Sequence, residues 1–140
     1  MAWCQGETDG DRNTSADVKK ANYKAEFIPI FNAMKAAGIE KCFMIRIGEY
    51  NGVEQIDYGP IILAQNEICQ ENEDVVMVST SFASMKARGL MKDTYHYYQE
   101  GYNQVGEQAG YWAAVYRQYH REGVMYDVKT GELYFTQWSY

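Results

Sequence analysis

The chain has 140 residues, 46% hydrophobic and 23% charged, enough for one domain with a real core. A net charge of −6 without any lysine–arginine run argues against nucleic acid and anionic membrane surfaces as partners. No apolar run reaches membrane-span length, no signal-peptide pattern opens the chain, and Cys4, Cys42 and Cys69 show neither CxxC nor Cys/His ligand spacing. The cysteines therefore read as reduced, buried thiols, and neither a metal nor a cofactor is expected.

In chain order, Ala2-Trp3-Cys4 reads as the tail of a short strand, and residues 5–14 as a polar loop. Ser15 is a natural N-cap with Asp17 in the first turn, opening a helix that runs to about Ala37. Tyr23, Phe27, Ile30, Phe31 and Met34 share one face of that helix. Pro29 is expected to kink it and Gly38 to end it. KCFMIRI, residues 41–47, is the nearly continuous apolar run of a strand covered on both faces. Residues 48–59 are loop, and IILAQNEICQ (61–70) is a helix packed through Ile61, Ile62, Ala64, Gln65 and Ile68. Residues 74–80 form another buried strand, followed by an irregular stretch to Asp93.

Tyr98, Tyr102, Val105, Ala109, Trp112 and Tyr116 then mark one stripe of a long helix, with Gly101, Gly106 and Gly110 permitting close approach of a neighbour. VMYDVKTGELYFTQW (124–138) has two β-rich runs around Lys129-Thr130-Gly131, the pattern of a hairpin. Its aromatic residues, Tyr126, Tyr134, Phe135 and Trp138, suit packing first and sugar or partner contact second. The alternation of strand and helix predicts an α/β fold with a parallel sheet and helical crossovers.

In open parallel sheets, functional groups collect in loops at the carboxyl ends of strands. Two loops answer to that: Gln5 to Asp9 after the first strand, and Lys92 to His96 after the third. Asp93 and His96, three residues apart, can place a carboxylate against an imidazole, fixing its tautomer and leaving the other ring nitrogen as a general base. The same pair can equally be a helix N-cap and a polar first-turn residue, and the spacing alone leaves both readings open.

The combination of segments resembles one family. WCQGETD (3–9), FMIRIGEY (43–50), ILAQNEI (62–68), VVMVST (75–80) and DTYHYYQEGYNQVGEQA (93–109) are similar to the SGNH/GDSL hydrolases. Within them, the likeness is to the sialate O-acetylesterase-like and plant acetylxylan-esterase-like carbohydrate esterases, over residues 2 to 117 or so. The resemblance implies a flavodoxin-like three-layer α/β/α sandwich. It also implies Ser-His-Asp ester hydrolysis on an acetylated carbohydrate, with His96 as base and Asp93 as its orienting acid. It places Gln5 where this subgroup offers a side-chain amide to the oxyanion hole, a neutral donor that does not compete for the histidine. Gly6 would let the backbone pass close to substrate, while Glu7 and Asp9 would brace the loop.

One part of the pattern is missing. The family's nucleophile lies in a Gly-x-Ser-Asn-like motif upstream of the QGE loop, and none of Ser15, Ser79, Ser81, Ser84 or Ser139 stands in such a motif. The nucleophile is thus expected outside this chain. Residues 1–120 then read as the C-terminal part of the hydrolase domain, and 121–140 as an appended hairpin tail. Such a piece would expose a sheet edge, so it is expected either to self-associate or to meet a missing N-terminal half. Two function classes follow: a carbohydrate O-acetyl esterase completed by another segment, or an inactive glycan-binding or assembly module.

Overall fold

The computed structural model describes residues 1–119, together with the backbone of 124–126 and 133–135. From the N-terminus the elements are strand β1 (Ala2–Trp3), a one-turn helix α1 (Glu7–Gly10), helix α2 (Ala16–Ala36) and strand β2 (Cys42–Ile45). Helix α3 (Gly59–Glu71), strand β3 (Val75–Ser79), a 3-10 turn (Ser81–Ser84) and helix α4 (Gln99–Tyr119) follow. The three strands form a parallel sheet in the order β1-β2-β3, with Trp3 opposite Met44 and Met44 opposite Met77. The fold is α/β.

Alternation along the strands sends neighbouring side chains to opposite faces, and both faces are covered. Cys42, Met44, Val75 and Met77 pack against Tyr23, Phe27 and Phe31 of α2 and Ile61, Ala64 and Ile68 of α3. Phe43, Ile45, Val76 and Val78 turn the other way, toward Ala109 and Trp112 of α4. All five residues of β3 are buried, as expected for an apolar strand with helices on both sides.

The Ser15 hydroxyl accepts from the Val18 N–H, so α2 starts where the N-cap predicts. The helix runs unbroken past Pro29, where Pro29 and Ala25, whose carbonyl loses its partner, both face solvent so that water can take the acceptor. One expectation for α2 needs correction. Ile30 and Met34 are not part of the buried face; they are 40% and 42% exposed. The covering stripe is narrower than predicted, because three rings at four-residue spacing (Tyr23, Phe27, Phe31) span the sheet by themselves.

Strand β2 ends two residues short of the expected Ile47. Its register with β3 shifts between Met44 and Ile45, and the Ile47 N–H is taken by the Gln65 side-chain carbonyl at 3.0 Å instead of by a strand. A side-chain amide thus stands in for the ladder at the end of the sheet where the loops gather. In the tail, the backbones of 124–126 and 133–135 pair antiparallel. The expected Lys129-Thr130-Gly131 turn and the aromatic side chains of the tail lie outside the described residues.

Candidate active site

Asp93 and His96 sit in the loop before α4, not at its first turn, so Asp93 is no helix cap. It caps a tight turn. Its Oδ1 accepts from the backbone N–H of Tyr95 at 2.9 Å and of His96 at 2.7 Å. The His96 Nδ1 lies 3.0 Å from both carboxylate oxygens. The carboxylate thus does two things at once: one oxygen orders the backbone of the turn while both face the ring. That contact assigns the proton to Nδ1 and leaves Nε2 as the basic nitrogen.

The loop is clasped from several directions. The Lys92 N–H donates to the His96 carbonyl at 2.8 Å, and Met91 forms an antiparallel bridge with Tyr97. Asn51, from the loop between β2 and α3, donates its backbone N–H to Thr94 O at 3.2 Å and its side-chain Nδ2 to Asp93 O at 3.3 Å. The Tyr97 ring stacks on Phe82 at 4.3 Å between centroids. Phe82 is held by the turn after β3, where the Gln108 side-chain carbonyl accepts from Ser79 Oγ (2.7 Å), Thr80 N (3.0 Å) and Ser81 Oγ (2.9 Å). Gln108 carried no motif in the sequence; its role becomes visible only when α4 lies beside β3.

Backbone donation from Tyr95, then from His96, holds the Asp93 carboxyl down at about 2. An unfolded aspartate titrates near 4, so the carboxylate stabilises the folded turn at all pH above about 4, and this contribution is lost as pH falls through about 2. A carboxyl-carbon NMR titration is expected to place Asp93 well below the exposed aspartates of the chain. A midpoint in their range would contradict the turn geometry.

Asp93 and His96 remain open to solvent, their side chains 48% and 66% exposed. His96 lines a cleft of about 570 Å³ at the carboxyl end of the sheet. Tyr95, Tyr97, Phe82 and Tyr102 form its aromatic wall, and Cys4, Glu7, Thr8 and Asp11 come from the end of β1 and the α1 turn opposite. Cys4 is exposed, unlike the buried Cys42 and Cys69, which corrects the expectation of three buried thiols. Cys4 sits at the strand end, where its side chain leaves the core that Trp3 enters on the other face. Burial first, then the negative charge of Glu7, raises the Tyr97 phenol, so Tyr97 stays neutral.

The other residues of the QGE loop are placed differently. Gln5 is outside this cleft; its Nε2 donates to Asp9 Oδ2 at 2.8 Å, and the side chain lines a smaller depression of about 240 Å³ beside Trp3 and Tyr23. Gly6 is buried against Ile61, Ile47 and Gln65 and faces no open space. Its φ of +153° and the 2.7 Å approach of Ile61 Cγ2 to any added Cβ explain the glycine. Gly6→Ala is expected to cost about 2 kcal/mol in a denaturant melt, and a loss below a few tenths would argue that the turn relaxes freely. Asp9 braces the loop through side chains, accepting from Gln5 and pairing with Arg12 at 2.9 Å. Glu7 lines the cleft.

The structure thus brings His96, Asp93, Glu7 and Cys4 to one place and sets Gln5 and Gly6 behind it. Ser79 and Ser81 are engaged by Gln108 and, like every other described serine, do not line the cleft. Among the described residues no three His, Cys, Asp or Glu side chains converge as metal ligands. No helix among them is long and apolar enough to cross a membrane. No family model, curated protein or solved structure matches the chain.

Proposed function

We propose that this chain supplies the base and acid of a carbohydrate O-acetyl esterase of the SGNH type. The observation that carries the reading is the His96–Asp93 contact at the mouth of an aromatic-walled cleft. Asp93 holds Nδ1–H, Nε2 takes the proton of an attacking hydroxyl, and the acyl group is transferred and then released by water. The attacking serine belongs to a segment outside these 140 residues; no described serine lines the cleft, which agrees with that assignment. Helices on both faces of a parallel sheet favour the flavodoxin-like sandwich that the reading needs. Tyr95 and Tyr102, 42% and 41% exposed, offer ring faces on which a sugar can stack.

Gln5 lies outside the cleft with its amide on Asp9, so the oxyanion donor is not assigned to it. The test is acetate release from an acetylated oligosaccharide by the chain together with the serine-bearing segment. Release by the two parts together, well above that of either alone, is expected. No release, with the sugar nonetheless bound by the Tyr95–Tyr102 wall, would favour the alternative of an inactive glycan-binding module.

A further inference from the structure

The His96 cleft contains a nucleophile of its own. Cys4 is exposed and lines the same wall of space as His96 and Thr8, whereas the described serines lie elsewhere. Tyr97, the residue after His96, lines the same cleft. The thiol therefore stands in one cluster with an imidazole whose Nδ1 is tied to a carboxylate and whose Nε2 is open. Of the two nucleophilic groups in that cluster, a thiol is the more easily deprotonated and the softer, so it outcompetes the Thr8 hydroxyl for an activated acyl carbon.

We infer that Cys4 is an acyl-accepting site of this cleft, taking an acetyl group from an ester with His96 as its general base. The inference rests on the reading of His96 given above. In the step, Sγ bonds to the carbonyl carbon while its proton passes to His96 Nε2. The C–O bond then breaks, and the leaving alkoxide takes that proton to depart as the alcohol, leaving an S-acetyl thioester. Water, deprotonated by the same Nε2, returns the thiol and releases acetate, so the balance is ester plus water to alcohol plus acid. Although the residue reaches the surface, packing around its thiol, with the negative charge of Glu7 second, pushes Cys4 up to about 11. Cys4 is accordingly protonated before reaction, and attack depends on the base and not on a standing thiolate.

The experiment treats the full chain with p-nitrophenyl acetate, quenches in acid and maps acetyl groups by peptide mass spectrometry. Expected is one hydroxylamine-labile acetyl on Cys4, none on the buried Cys42 and Cys69, and a loss of rate of about tenfold or more in His96→Ala. His96 is exposed, so that variant should fold, and His96→Gln checks it. Acetyl on Thr8 or lysines only overturns the proposal. So does unmodified Cys4 in a preparation that still hydrolyses the ester through His96, an outcome that leaves the base reading standing. Cys4 acetylation equally fast in His96→Ala overturns the proposal and counts against His96 as base. The absence of both acetylation and hydrolysis overturns the proposal alone, because the base reading is tested with the serine-bearing segment present.

Discussion

His96→Ala lowers ester turnover by roughly 10²- to 10⁴-fold when assayed with the serine-bearing segment supplied, the range that a positioned general base contributes. The expectation follows from the geometry of one turn. Asp93 is kept ionised by two backbone N–H groups, so its charge is available to the imidazole across the working pH range. With both carboxylate oxygens 3.0 Å from Nδ1, the ring is held in the tautomer that leaves Nε2 basic. Asp93→Asn separates this from a merely structural role. The amide keeps an oxygen for the Tyr95 and His96 backbone, so the turn persists, but it offers a donor to Nδ1 and so favours the wrong tautomer. Turnover is therefore expected to fall several-fold or more in Asp93→Asn, whereas the melting temperature drops only slightly through loss of the charged turn contacts. If both variants hydrolyse p-nitrophenyl acetate at the wild-type rate, the pair has no part in the chemistry.

The parts of this molecule that follow from local patterns were readable in advance. Ser15 capping α2, the two apolar strands and the helix through Ile61, Ala64, Gln65 and Ile68 all appear where periodicity and capping put them. The Asp93–His96 contact is one of the two arrangements that the three-residue spacing left open. What was not readable depends on which neighbour a residue meets. Pro29 is tolerated because its side of α2 faces water, a fact of packing and not of sequence. Gln5, read from likeness as a donor toward substrate, spends its amide on Asp9, four residues on, once residues 7–10 wind into a turn. Cys4 looked like a core thiol among apolar neighbours, yet it occupies the strand position that leaves the core. Gln108 gathers three donors from residues 79–81 that are 27 to 29 places distant, a separation no local window spans.

The largest stability effect is expected at Gln65. It is completely buried within α3, and its amide is used in full at the point where three segments meet. Oε1 accepts from Ile47 N at 3.0 Å, and Nε2 donates to Gln5 O at 2.9 Å and to Tyr23 Oη at 3.0 Å. Tyr23 in turn donates to Gln5 O at 2.8 Å and accepts from Trp3 Nε1 at 3.1 Å, so β1, α2 and the segment after β2 are joined around one side chain. Gln65→Leu preserves bulk but leaves the Ile47 N–H without a partner in a site closed to water, and it removes one of the two donors on Gln5 O. An unsatisfied buried backbone group costs about 1–3 kcal/mol, and the weakened contacts at Gln5 and Tyr23 add to it. A total loss of about 3 kcal/mol is a large share of the ~5–15 kcal/mol by which domains are stable. For a chain of this length it corresponds to a fall of roughly 10 °C in Tm. Gln65→Glu is expected to do no better: it keeps an acceptor for Ile47 but loses both donated bonds and buries a charge. A Gln65→Leu protein melting within about 2 °C of the parent would show that the Ile47 N–H finds another acceptor, and that the sheet end is not held through this amide.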